Sequence, residues 1–243
     1  MYLYDYFWFM GAIVLCMILA GIASSKVKST FKKYSQSPCR SGLTGAAAAT
    51  NLLRSGNASH IMVSRVGGEL SDHYDPSKGI VNLSDSTYGS NSVSAVAVAA
   101  HEIGHVMQKQ DGFAFYNVRT ALVPVVNIGS RLAFPLVLIG LLLDYFVRFS
   151  NPDTGFYIAM GGVILYGTSL LFSLVTLPVE LDASRRAIKM LSENYIISED
   201  EVPAAKKVLS AAAFTYVVSL LTSVVYFLRF LLYVLSIFGK RRD

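Results

Sequence analysis

The chain has 243 residues, of which 53% are hydrophobic and only 15% are charged, where a soluble domain carries about 25% charge. With a mean hydropathy of +0.47, this excludes a purely soluble enzyme. A formal charge of +5 does not make a nucleic-acid partner, because the basic residues flank apolar runs and form no groove-reading or stacking face.

A bilayer core about 30 Å thick needs roughly 20 apolar residues per helix. Leu3 to Ala23, Leu122 to Val147, Phe156 to Leu177 and Ala211 to Phe238 meet that length. The expected class is therefore a mainly α membrane protein with about four transmembrane helices and a small α+β domain between them. The first run carries Asp5 and no basic residue ahead of it, so it is a retained anchor and not a signal peptide. Lys26, Lys28, Lys32, Lys33 and Arg40 follow it, which places this end in the cytoplasm and the N-terminus outside. Cys16 in the run and Cys39 in the basic loop are an apolar filler and a free thiol.

Residues 24–121 form the longest polar stretch. Leu43 to Ser55 predicts a helix closed by Gly56-Asn57. Two β-type segments follow, Ile61 to Val66 and Gly79 to Leu83. Gly67-Gly68 and Asp72-His73-Tyr74-Asp75-Pro76 supply the turn residues of a loop or hairpin between them. Ser84 to Ser94 is rich in Ser, Gly and Asn and can cap a helix from Ser92 to Gln110, which stops at Asp111-Gly112.

In the second run, Pro124 and Pro135 permit a bend that leaves Arg131 at the cytosolic boundary. Pro178 suits a first helical turn, giving a helix Val179 to Leu191 that leaves the membrane. Glu199, Asp200 and Glu201 ahead of Pro203 give the next helix an acidic start. The fourth run, about 42 Å long at 1.5 Å per residue, is either one long tilted helix or two pieces broken near Arg229, so the side of Lys240-Arg241-Arg242 stays open. The domain organisation is a 1–23 anchor, a 24–121 cytosolic region, 122–177 as two transmembrane helices, a 178–207 cytosolic segment and a 208–243 hydrophobic helix with a basic tail.

His101-Glu102-Ile103-Gly104-His105 lies on the Ser92 to Gln110 helix. Residues four apart share a helical face, so two imidazoles can meet one zinc ion about 2.0–2.1 Å from each nitrogen. Glu102, one step round the helix, can reach a water on that ion and take its proton. A catalytic site needs a third ligand and an open fourth position. No histidine follows His105, which leaves a carboxylate, with Glu180 and Asp182 foremost, or His60 and His73 upstream. Two spans separate His105 from Glu180, so the chain returns to the side it left. Glu180 follows the last apolar residue of its run, Leu177, by three, so the site lies at the membrane surface.

Several stretches together resemble the YugP-type neutral zinc metallopeptidases, small bacterial membrane proteins of gluzincin type. These stretches are Leu70 to Pro76, Gly79 to Ser84, Ala99 to Gln108 and Pro178 to Arg185. The resemblance covers nearly the whole chain. It implies a zincin-like catalytic domain built on a short edge-strand hairpin and the H-E-x-x-H helix. His101, His105 and Glu180 would hold one Zn2+ per chain, with Glu102 as general base, in a multi-pass protein of the bacterial cell membrane whose site faces the cytoplasm. A polypeptide substrate would bind along the 79–83 edge strand. The pattern departs at Ser184, where such proteases carry an Asp that orients the first histidine, so Asp182 or Asp75 is the candidate orienting carboxylate. Candidates for stabilising the oxyanion are His73, Tyr74, Tyr88 and Arg185. The expected activity is a membrane-embedded metalloendopeptidase. The rivals are a catalytically silent zincin-fold scaffold and a transporter built on Arg131 and Arg229.

Overall fold

A computed structural model describes residues 2–146 and 154–239. Val147, which ends the second apolar run, and the tail Lys240-Arg241-Arg242 lie outside the described residues. The elements in order are α1 (Tyr2–Ser35), α2 (Gly45–Ser55), β1 (Met62–Val66), β2 (His73–Asp75), β3 (Ile80–Ser84), α3 (Asp85–Tyr88), α4 (Val93–Gln110), α5 (Ala114–Phe146), α6 (Thr154–Glu193) and α7 (Val202–Gly239). The chain divides into a polar unit, Gly21–Asn117 with Pro178–Tyr216, and an apolar unit, Met1–Ala20 with Val118–Leu177 and Val217–Asp243.

In the polar unit α4 is buried on nearly every face, as expected of a stretch made of Ala, Val and Ser with no charge before His101. Ser92 caps it, its hydroxyl accepting from the Ala95 N–H at 3.3 Å. Leu52 from α2, Leu83 from β3, Ile103 from α4 and Leu191 from α6 are fully buried in one core. Each contributes about 1.5–3 kcal/mol relative to exposure. The polar half of α6 presents Val179, Ala183, Ala187 and Leu191, all at 0% exposure, a stripe at helical spacing. Gly104 lies against this stripe: a Cβ added to it would stand 2.6 Å from the Ala183 carbonyl oxygen. The two helices therefore meet almost backbone to backbone.

The sheet differs from the expected hairpin. Its order is β1-β3-β2, with β1 parallel and β2 antiparallel to β3. The segment expected at the edge, 79–83, is the central strand and cannot accept a further strand, because Ile80 to Asn82 pair on both sides. The His73–Asp75 stretch, read as a turn, is the antiparallel edge strand. Cys39 is a free thiol in the loop after α1, as expected, but an enclosed one. It is buried at 3% exposure, and its Sγ donates to the Ile196 carbonyl at 3.1 Å. Beside it, Glu201 accepts from the Arg40 N–H and from the N–H and hydroxyl of Ser198, each at 2.8 Å.

Four helices are long and apolar enough to cross a membrane: Phe7–Ser35, Ala114–Phe146, Thr154–Glu193 and Val202–Phe238. Within the apolar unit α5 and α6 approach through small residues. A Cβ on Gly162 would stand 2.6 Å from the Ala133 carbonyl oxygen, and one on Gly155 would stand 2.5 Å from that of Gly140. Such close backbone contact is the usual basis of helix association in lipid. Pro178 sits inside α6 and not at a first turn, and α5 continues through Pro124 and Pro135. Helix α7 is unbroken at Arg229, which decides the length question for one long helix.

Candidate metal centre

The i, i+4 spacing on α4 sets the His101 and His105 rings 4.8 Å apart, nearly perpendicular at 83°. Glu180, 2% exposed, enters from α6 just beyond its apolar run. Its Oε2 lies 3.2 Å from His101 Nε2 and 3.6 Å from His105 Nε2. The three donor atoms lie within 4.8 Å of one another, and they are the sole such group of three among the described residues. Donors held tetrahedrally about 2.1 Å from one ion stand about 3.4 Å apart, which matches the two separations from Glu180 Oε2. The donor set, two imidazoles and a carboxylate, suits zinc as well.

The ring orientations point the same way. The Gln108 amide nitrogen donates to the Val179 carbonyl at 2.7 Å and to Asp182 Oδ2 at 3.0 Å. Its oxygen is thus left to accept from His105 Nδ1 at 3.0 Å. A neutral His105 therefore keeps its lone pair on Nε2, facing Glu180. Ser184 Oγ stands 3.2 Å from His101 Nδ1 and occupies the orienting position that an Asp was expected to fill. Asp182 acts one step back, through Gln108, and is itself held by Arg186 Nε at 2.6 Å. Asp75, the last residue of β2, faces the turn that follows and accepts from Ser77 Oγ at 2.6 Å, a bond that lowers its pKa to about 2.

Burial and mutual hydrogen bonding oppose each other at the buried ligands. Burial pushes the His105 imidazole down, but the Glu180 and Glu102 carboxylates and the Gln108 amide outweigh it and raise its pKa. Burial pushes Glu180 up, and hydrogen bonds from His101 and His105 override it and hold the carboxyl well below the usual range. Both shifts express a buried anion seeking positive charge.

Beside the ligands lies a cleft of about 280 Å³, lined among others by Val27, Phe31, Leu70, Asp72, Val98, Glu102, Leu209 and Tyr216. Glu102 is 8% exposed, and among the described residues no donor hydrogen-bonds its carboxylate. Asp72 is occupied, accepting from the Ser84 N–H at 2.8 Å and the Ser84 hydroxyl at 2.9 Å. This anchors the segment before β2, where Leu70 takes a φ of 54°, a sparsely populated region for a branched side chain.

Of the other sequence candidates, His60 is exposed and His73 bonds the Ser71 carbonyl at 2.9 Å; neither joins the ligand group. Tyr74 lies under Lys109, Tyr88 packs on the core, and Arg185 is 79% exposed. None of His73, Tyr74, Tyr88 and Arg185 lines the cleft. Thr215 and Tyr216 do. The sequence carried no signal for them, since they sit unmarked inside the fourth apolar run.

Residues 9–235 match the family described as "Putative neutral zinc metallopeptidase". Over 214 residues the chain is 40% identical to the "Putative membrane protease YugP" of Bacillus subtilis (strain 168), covering 88% of this chain and 91% of that protein. No solved structure matches the chain at a significant level.

Proposed function

Because the chain belongs to the neutral zinc metallopeptidase family, we propose that it is a membrane-embedded zinc endopeptidase cleaving membrane or membrane-proximal proteins. His101, His105 and Glu180 would hold the ion, and Glu102 would be the general base. The carrying observation is the convergence of the three donor atoms beside the buried Glu102 carboxylate, which opens on the same cleft.

Zinc held there supplies a Lewis acid for the scissile carbonyl and lowers the pKa of the water it binds to about 7. Glu102 accepts the proton of the attacking water at a carboxylate oxygen and delivers it to the leaving amine. Gln108 and Ser184 hold the two imidazoles with their Nε2 atoms toward Glu180. Val27, Phe31, Val98 and Leu209 exclude bulk water and favour an apolar substrate side chain.

A peptide extended by strand addition would lie along the outer edge of β2, because β3 is paired on both sides and the residues leading into β2 line the cleft. A cytoplasmic face for the site is supported by Lys26, Lys28, Lys32 and Lys33, which follow the first apolar run and belong to the polar unit. A lipid bilayer is the expected surrounding of the apolar unit.

The test is Glu102→Gln, assayed for zinc content and for cleavage of casein or a membrane protein. Zinc content stays at the wild-type level and the rate falls by about 10²–10⁴. Full activity in that variant overturns the mechanism. A zinc-loaded wild type that cleaves nothing favours the silent-scaffold reading instead.

A further inference from the structure

We propose that the apolar unit holds a phosphate-bearing anionic membrane lipid, with its phosphate on Arg229. Arg229 lies in α7, nine residues before Phe238 at the end of the apolar run. A guanidinium stays charged in a protein, and a charge within a membrane segment marks a functional site unless it is paired. Arg229 has no carboxylate partner among the described residues. Its contact is with the Met10 thioether, Nη1 to Sδ at 3.9 Å, which cannot neutralise it.

Around it lies a cavity of about 580 Å³, lined by Ser130 and Phe134 of α5, Tyr166 of α6, and Tyr226, Phe230 and Tyr233 of α7. Ala133, also of α5, completes it. The lining is amphiphilic: one cation, four hydroxyl groups, no acid, and aromatic and aliphatic surface for the remainder. Tyr226, Arg229, Phe230 and Tyr233 are spaced to share one face of α7. The Tyr166 and Phe230 rings pack edge to face, with centroids 5.4 Å apart, and so fix one wall.

Phe134 and Tyr233 are 68% and 55% exposed, and in a bilayer that surface meets lipid. A ligand thus arrives sideways from the membrane. Arg229 stands about 14 Å along the helix from the end of the run. An arginine side chain at that depth is long enough to carry its guanidinium toward a lipid phosphate. A guanidinium and hydroxyl donors match phosphate oxygens, while Phe134 and Phe230 match an acyl chain. None of these residues lines the zinc cleft, so the assignment does not depend on the protease reading.

The experiment titrates the detergent-solubilised full chain with phosphatidylglycerol, phosphatidylcholine or inorganic phosphate, and reads thermal shift and bound lipid by native mass spectrometry. Phosphatidylglycerol should raise Tm and remain bound, with phosphatidylcholine and inorganic phosphate at least tenfold weaker. Arg229→Gln should weaken phosphatidylglycerol tenfold or more, and Arg229→Lys less. Tyr166→Phe keeps the charge and tests the site even if Arg229→Gln misfolds; it should weaken binding several-fold. Lys28→Gln, outside the cavity, should change nothing. Equal response to phosphatidylglycerol and phosphatidylcholine, an equal response to free phosphate, or undiminished binding in both Arg229→Gln and Tyr166→Phe overturns the proposal.

Discussion

Gly104→Ala separates two opposite expectations. By helix propensity alone, alanine in the middle of α4 should stabilise by about 1 kcal/mol. The packing reverses the sign. The new Cβ would stand 2.6 Å from the Ala183 carbonyl oxygen and 3.1 Å from its Cα and carbonyl carbon, against an ordinary contact of 3.4 Å or more. These are backbone atoms, so no side chain can swing aside. Helices α4 and α6 must part by about 0.8 Å, an overpacking that costs about 1–3 kcal/mol and outweighs the gain in propensity.

The same movement carries Glu180 away from His101 and His105. Zinc sites tolerate deviations of about 0.2 Å, so affinity should fall about 10–100-fold, as for loss of a residue that supports a ligand. Zinc content after dialysis against graded chelator measures the affinity, and Tm with and without chelator measures the coupling. Wild type should lose Tm on chelation, whereas Gly104→Ala should start lower and respond little. A variant that is more stable than wild type, or that binds zinc as tightly, refutes the claim that the backbone contact at Ala183 builds the site.

Other outcomes follow from the same geometry. Gln108→Leu strips His105 of its Nδ1 acceptor and removes the buried amide that bonds the Val179 carbonyl and Asp182; zinc affinity should drop about 10–100-fold and stability by about 1–3 kcal/mol, read by chelator competition and denaturant melts. Tyr216→Phe removes a hydroxyl from the cleft lining and should lower kcat about 10²-fold, with zinc content unchanged, if it stabilises the oxyanion. Burial pushes the Glu201 carboxyl up, but the N–H groups of Ser198 and Arg40 and the Ser198 hydroxyl outweigh it and depress its pKa. Its contribution is therefore present above the unfolded value near ~4.3 and is lost as pH falls through the folded value. In Tm measured from pH 7 to pH 3, Glu201→Gln should be less stable at neutral pH and flatter on acidification.

Much of the architecture is legible because its causes are local. Apolar length marks the four long helices, and Ser92 with Asp111 brackets α4 by capping chemistry. The losses are long-range. His73–Asp75 reads as a turn because its composition is that of a turn, and only pairing with β3 makes it a strand. The central place of β3 depends on a parallel partner upstream, which no property of residues 79–83 announces. Pro178 looks like a helix start, yet α6 runs through it because apolar packing on one side and the buried stripe Val179, Ala183, Ala187 and Leu191 on the other hold both halves helical. The burial of Cys39 has no local sign because it comes from Ile196 and Glu201, more than 150 positions away. Ser184 and Gln108 orient the histidines with uncharged groups, whereas the resemblance directed attention to carboxylates. Tyr216 is one aromatic residue among many in an apolar run, and only the fold places it beside Glu102.

The zinc dissociation constant of the purified full-length protein, by chelator competition, tests the central claim most directly. Wild type should bind one zinc, and His101→Ala, His105→Ala and Glu180→Ala should each weaken it by about 100-fold or more, while His60→Ala and His73→Ala stay within a few-fold of wild type. Unchanged affinity in Glu180→Ala, together with a loss in His73→Ala or His60→Ala, would contradict the site described here.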